Sequence, residues 1–98
     1  PLSLHDALPI SLVLSQKTEF TNKVDHSVLA MITSQKNDPW PLDVTIKNKI
    51  QSGLTASSVV RMKIFTLDNR FILRKIGHLS KSDQTKVKKS LSSLFDYL

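Results

Sequence analysis

The sequence predicts a small, mainly β domain closed by a C-terminal α-helix, a strongly bent sheet or half-open barrel. Three observations lead there. Short runs of strand composition recur between turn signals, at Ser11–Ser15, Ser27–Thr33, Leu42–Ile46, Val60–Ile64 and Phe71–Ile76. In Val60-Arg61-Met62-Lys63-Ile64 apolar residues alternate with cations, the period-two pattern of a half-buried strand. Beyond Ser80 the period changes. Val87, Leu91, Leu94, Phe95 and Leu98 fall at i, i+4, i+7, i+8 and i+11, one face of a helix.

The totals bound the rest. A chain of 98 residues makes one domain with one modest core. Its net charge of +6 favours acidic partners, nucleic acid first and an acidic protein second, although a merely soluble basic surface fits equally. The chain has no cysteine, which excludes disulfides, a thiolate nucleophile and a cysteine zinc site and suits a cytoplasmic protein. His26 and His78 are isolated from any carboxylate cluster, so no metal site is expected. No apolar run approaches the roughly 20 residues that span a bilayer.

The opening segment PLSLHDALPI stands apart. It has no basic start, and His5 and Asp6 interrupt its apolar part, so it does not read as a signal peptide. Leu2 to Ile10 resembles the in-frame translation of a short-read sequencing adapter. Residues 1–10 are therefore expected to be a non-native scar, with 11–98 the domain proper; a genuine N-terminal arm is the alternative. Ser11–Ser15 reads as a buried strand, Gln16–Asp25 as a polar loop with a lone Phe20, and Ser27–Thr33 as a second strand. Asn37-Asp38-Pro39 starts a turn, and Pro39 and Pro41 keep Asp38 and Trp40 out of helical geometry. Leu42–Ile46 alternates as a strand. Lys47–Ser52 has too few apolar positions to assign, and Gly53 ends it.

In the second half, Arg61 and Lys63 should face one side and Val60, Met62 and Ile64 the other. Asp68-Asn69 supplies a turn, and Phe71–Ile76 a strand that Gly77 breaks. Ser80 and Asp83 resemble a capping box. The helix should run from about Lys81 to about Tyr97 and bury Val87, Leu91, Leu94 and Phe95.

The ordered set VVRMKIFTLD, ILRKIGHLS and a short terminal helix, preceded by SLVLSQ and SVLAMITSQ, resembles the PemK/MazF family of toxin endoribonucleases. The likeness covers roughly residues 11 to 95. It implies an SH3-like barrel whose first strand is missing here, which would leave an unpaired edge and exposed core. It also implies a sequence-specific, metal-free endoribonuclease of a toxin–antitoxin module, cleaving single-stranded RNA through the substrate's own 2′-hydroxyl. No cofactor is implied. The implied partners are a second copy of the chain and an acidic antitoxin whose extended tail covers the basic groove. The same fold hosts gyrase poisons, so a non-catalytic basic barrel binding nucleic acid or a protein such as gyrase is the alternative.

The resemblance also selects residues. AMITSQ places Thr33 at the family's catalytic Thr, whose hydroxyl can donate to a phosphate oxygen where charge develops. Val59-Val60-Arg61 fits the PemK segment that supplies an Arg at the phosphate; a guanidinium clamps phosphate with two parallel hydrogen bonds. A solvated Arg61 on an outer strand face is the plainer reading. PemK carries an acid two residues later, where this chain has Lys63, so no base is carried over there. Ser34, Gln35 and Lys36 follow Thr33 on the loop the family uses for RNA, and with Trp40 and Lys63 they form the implied RNA-binding set. Trp40 could stack on a base or cover the barrel end. Lys81, Lys86, Lys88 and Lys89 read as a solvated helix face. The family's Arg-Pro pair before LVLS aligns with Pro9-Ile10, and its Arg is absent, so activity is expected to be impaired.

Overall fold

The computed structural model describes residues 2–7 and 10–96. Six strands form one antiparallel sheet in the order β4-β5-β3-β2-β1-β6. They are β1 Ser3–Asp6, β2 Ile10–Val13, β3 His26–Ser34, β4 Val44–Thr45, β5 Ser58–Asp68 and β6 Arg74–His78. Helices α1 Asn22–Val24 and α2 Lys49–Ser52 are single turns, and α3 Lys81–Leu94 closes the chain. The result is the expected mainly β half-barrel with a C-terminal helix. No helix among the described residues is long and apolar enough to cross a membrane.

One face of the sheet carries the core. Leu4, Leu12, Ala30, Ile32, Val44, Ile46, Val60 and Met62 pack with Leu79 and with Val87 of α3. The alternation in β5 accounts for this placement: Val60 and Met62 are buried in the cluster while Lys63 is exposed.

The N-terminal segment corrects an expectation. Ser3–Asp6 does not stand outside the fold but fills the position between β2 and β6, pairing with both. Leu4 is fully buried opposite Leu12, and Leu2 O accepts from Leu79 N at 2.9 Å. A single inward Leu between polar neighbours suffices for a half-buried strand, so the sheet has no gap here.

Other differences are local. Gln16–Asp25 is helical rather than a loop. A π-helical turn at Lys17–Thr21 leads into α1, and Gln16 Oε1 caps it by accepting from Glu19 N at 2.6 Å. The expected strand Leu42–Ile46 shrinks to Val44–Thr45 because Leu42 has a left-handed backbone, φ 69°. The unassigned Lys47–Ser52 holds α2, capped by Asn48 Oδ1 on Gln51 N and ended by Gly53 at φ 75°.

β5 and β6 are strands, yet they do not pair with each other, because β6 crosses to β1. Gly77 does not break β6 but lies inside it. The backbone of Gln51 and Ser52 comes so close that any Cβ at Gly77 would collide with their carbonyl oxygens.

The Ser80 cap holds: its Oγ accepts from Asp83 N at 3.1 Å. The reciprocal arm goes elsewhere. Asp83 Oδ2 accepts from Lys47 N at 3.1 Å and Asn48 N at 3.2 Å, pinning the head of α3 to the chain entering α2. Val87 is buried and Leu91 packs partly on the core. Leu94 and Phe95 are exposed, contrary to expectation: Leu94 is the last residue of α3, and Phe95 is extended and leaves the helical face. Tyr97 and Leu98 lie outside the described residues.

These placements separate two leucines. Leu4→Ala should cost about 2–5 kcal/mol in urea unfolding, and Leu94→Ala no more than about half a kcal/mol. Equal effects would mean that β1 is not part of the core.

Candidate nucleic-acid interface

The candidate site forms where β3 ends beside the start of β5. Register puts Thr33 opposite Val59 and Met31 opposite Arg61. Thr33 and Arg61 are therefore diagonal neighbours on one face, about 7–8 Å apart by strand geometry. A bulge lies just beyond, where Ala30 faces Ile64 and Met31 faces Arg61. Lys63 stands in that bulge, exposed.

Arg61 is not the solvated residue its pattern suggests. It points away from the core cluster yet is only 7% exposed. The loop after β3 covers it. Arg61 Nε donates to Asp43 Oδ1 at 3.2 Å, and Nη2 to Asp43 Oδ2 at 3.0 Å and to the Asp38 carbonyl at 2.7 Å. The guanidinium lies over the Trp40 ring, 5.0 Å from its centroid. Asp43 Oδ2 also accepts from Trp40 N at 2.9 Å. A guanidinium this enclosed needs its fork matched, and a carboxylate does that with two parallel bonds.

The charges respond accordingly. Burial raises the Asp43 pKa, but hydrogen bonds from Arg61 and from Trp40 N, with the guanidinium charge, outweigh it and leave it lowered. The hydrogen bond with Asp43 raises the Arg61 pKa; burial opposes this, and the charges of Asp43 and Asp38 add to it.

Thr33 anchors the other end of the loop. Its Oγ1 accepts from Asn37 Nδ2 at 2.6 Å. Ser34 turns inward to the loop, with its Oγ accepting from Lys36 N at 3.2 Å and its carbonyl from Asn37 N at 3.1 Å. Gln35 N is held by the Ser57 carbonyl at 3.0 Å, and the Gln35 and Lys36 side chains are exposed. The loop thus brings Thr33, Ser34, Lys36, Trp40 and Arg61 together. Asp43 and Asn37, which the sequence reading did not single out, are the residues that hold it.

A groove of about 790 Å³ lies elsewhere, lined by Leu14, Lys17, Ile72, Arg74, Lys75 and Lys88 among others. None of the candidate residues lines it, and the ordered chemistry of the Thr33 loop argues for the latter as the site. Among the described residues no three His, Asp or Glu side chains gather as a metal site.

Residues 8–95 match the family of PemK-like, MazF-like toxins of type II toxin–antitoxin systems. The chain belongs to this family. No protein of curated function matches it by sequence. Among solved structures it resembles the Mycobacterium tuberculosis toxin MazF-mt6, with TM-score 0.72 and 21% identity over 98% of this chain and 96% of that one. A MazE–MazF structure from Deinococcus radiodurans gives TM-score 0.74 and 19% identity over 94% and 90%. A mycobacterial endoribonuclease in complex with its cognate antitoxin gives TM-score 0.75 and 15% identity over 99% and 92%. At such identities the likeness is one of fold, and the six-stranded half-barrel with its terminal helix is that of MazF toxins.

The Asp43–Arg61 pair has a signature in acid. A carboxylate with a lowered folded pKa contributes stability above its unfolded pKa and loses it as pH falls through the folded value. Below about pH 4, the wild-type chain should therefore lose stability more steeply than Asp43→Asn, read by urea midpoints across pH. Parallel acid limbs would show that Asp43 carries no linkage.

Proposed function

We propose that this toxin-family chain is a sequence-specific endoribonuclease that cuts single-stranded RNA, with Thr33 at the scissile phosphate. The observation that carries this reading is the hydrogen bond from Asn37 Nδ2 to Thr33 Oγ1, 2.6 Å long. A hydroxyl has one donor and two acceptor positions. Asn37 occupies an acceptor, so the Thr33 proton stays available to a phosphate oxygen, and the hydroxyl is held in place at the strand end. The nucleophile is the substrate's own 2′-hydroxyl, which attacks the adjacent phosphorus and displaces the 5′-oxygen of the next nucleotide. No metal enters the reaction.

Around that point the remaining residues bind. Lys36 and Lys63 are exposed cations for phosphates, Ser34 and Gln35 lie on the loop that meets bases, and Trp40 offers a ring to stack on. Arg61 stands in the same cluster, with Nε and Nη2 engaged by Asp43 and the Asp38 carbonyl. Similar structures that hold a toxin with its antitoxin support an antitoxin as partner; the net charge of +6 suits an acidic one, and the proposed assembly includes a second copy of the chain. The protein acts in the cytoplasm.

One observation favours a second reading, a basic barrel that binds without cutting. The Arg that the family resemblance leads one to expect before β2 has Pro9 in its place. β2 runs antiparallel to β3 with Ser11 opposite Met31, so the head of β2 lies at the Thr33 end. A cation entering there would meet the same phosphate.

Pro9→Arg should therefore raise cleavage of a long unstructured RNA in EDTA by about 10²–10³-fold. Thr33→Ala in that background should abolish the gain while sparing RNA binding. Cleavage indifferent to Thr33 sinks the assignment; binding without cleavage in Pro9→Arg decides for the non-catalytic barrel.

A further inference from the structure

We infer that Asp43 and Arg61 are a positioning pair that holds Trp40 as a stacking platform for one unpaired nucleobase, and that Arg61 is not a phosphate clamp. This rests on the RNA-binding reading and specifies which group meets a base.

The donor geometry speaks first. Arg61 Nε and Nη2 already serve both oxygens of Asp43 and the Asp38 carbonyl. To grip a phosphate with the same fork, Arg61 would have to leave Asp43. That would strand a half-buried carboxylate beside the incoming phosphate, two like charges in one place.

The second point is a shared oxygen. Asp43 Oδ2 accepts from Arg61 Nη2 and also from Trp40 N. A single carboxylate thus fixes both the backbone that bears the indole and the cation that lies on it. Pro39 and Pro41 restrict the chain on either side, and Leu42 turns it back at φ 69°. Few rotations remain to be frozen when a ligand arrives, so stacking carries little ordering cost.

The third is the surface left open. Trp40 is 44% exposed although the guanidinium covers one face of its ring. The guanidinium takes one face, and we assign the exposure to the other face and the edge. A cation behind an aromatic ring and an open face in front suit a flat, neutral π-system such as a base. The loop that carries Trp40 is also tied through Asn37 to Thr33, so the platform has a defined place relative to the hydroxyl.

Trp40 is the only tryptophan, so its fluorescence reports the platform alone. The probe is a ten-nucleotide 2′-O-methyl oligoribonucleotide, which lacks the nucleophile and cannot be cut. An abasic strand with the same number of phosphates is the control. The base-bearing strand should quench Trp40 and the abasic strand should not. Trp40→Ala should weaken binding of the base-bearing strand by about 5- to 150-fold. Asp43→Asn and Arg61→Lys should weaken it to a similar extent, and each double variant with Trp40→Ala should lose little more.

Salt dependence separates strut from clamp. Each phosphate contact to a single strand contributes about 0.7 to the slope of log K against log salt. Arg61→Lys should leave the slope unchanged. In the free protein, Asp43→Asn should make Trp40 more accessible to iodide while circular dichroism stays native. A drop of about 0.7 in slope on losing the Arg61 fork in Arg61→Ala, or quenching by the abasic strand, overturns the platform. So does an Asp43→Asn chain with native circular dichroism that binds and quenches as wild type. Because the probe cannot be cleaved, these outcomes leave the ribonuclease reading to its own assay.

Discussion

A guanidinium buried on the outer face of a sheet is a demand that the surrounding chain must meet. Arg61 is the fourth of five consecutive buried residues that open β5, where both faces of the strand are covered, and an unpaired charge there would cost several kcal/mol. Asp43 meets the demand with a two-point bond, the Asp38 carbonyl takes a third, and the Trp40 ring covers the plane. Those contacts recruit the whole loop between β3 and β4. Through Asn37 they extend to Thr33, and through Asp43 they fix where β4 begins. The candidate site is thus a consequence of how one charge was made tolerable.

A second carboxylate organises the other end of the molecule in a related way. Asp83 is buried at the head of α3 and accepts from two successive backbone amides before α2. That fixes α2 over β6, where Gly77 leaves room for the Gln51 and Ser52 backbone. β6 in turn lies along β1, so Leu4 and Leu79 are sealed against Val87 by elements that touch few of each other's residues directly. Closure of the half-barrel is a chain of local fits, each needing a small residue or a polar anchor at one place.

What could be read in advance followed from periodicity. The exposed Lys63 beside buried Met62, the Ser80 cap and the core position of Val87 are local consequences of spacing two or spacing 3.6. The position of Thr33 at a strand end was legible because SVLAMIT ends in turn residues. Pairing was not legible: nothing in Phe71–Ile76 says that it will cross to β1 instead of folding back on β5. Nor was the burial of Arg61. An Arg in an alternating strand reads as outward and solvated; its partner lies 18 residues earlier, in a segment whose Asp read as one polar position of a short strand. Phe95 failed for the opposite reason, since its spacing was right but the helix ended one residue before it, and Leu94, on the last helical position, is left exposed.

The pair also divides the electrostatics of the site. Arg61 matched to Asp43 adds almost no net charge to the field outside the protein, so it cannot be what draws in a polyanion. In the proposed function that work falls to exposed cations such as Lys36 and Lys63, whose attraction is long-ranged, insensitive to sequence and weakened by salt. The proposed stacking on Trp40 and hydrogen bonding by Thr33 are short-ranged and depend on geometry that Asp43 and Asn37 hold. Attraction and recognition therefore rest on different residues, and a loop tied at both ends is what lets the second be rigid while the first stays solvated. A free arginine at position 61 would merge the two, adding affinity for any phosphate at the expense of the ring's fixed orientation. Pairing it with Asp43 removes that affinity and, in the proposed function, leaves the direction of the indole, not the charge beside it, to decide which part of a strand is held against Thr33.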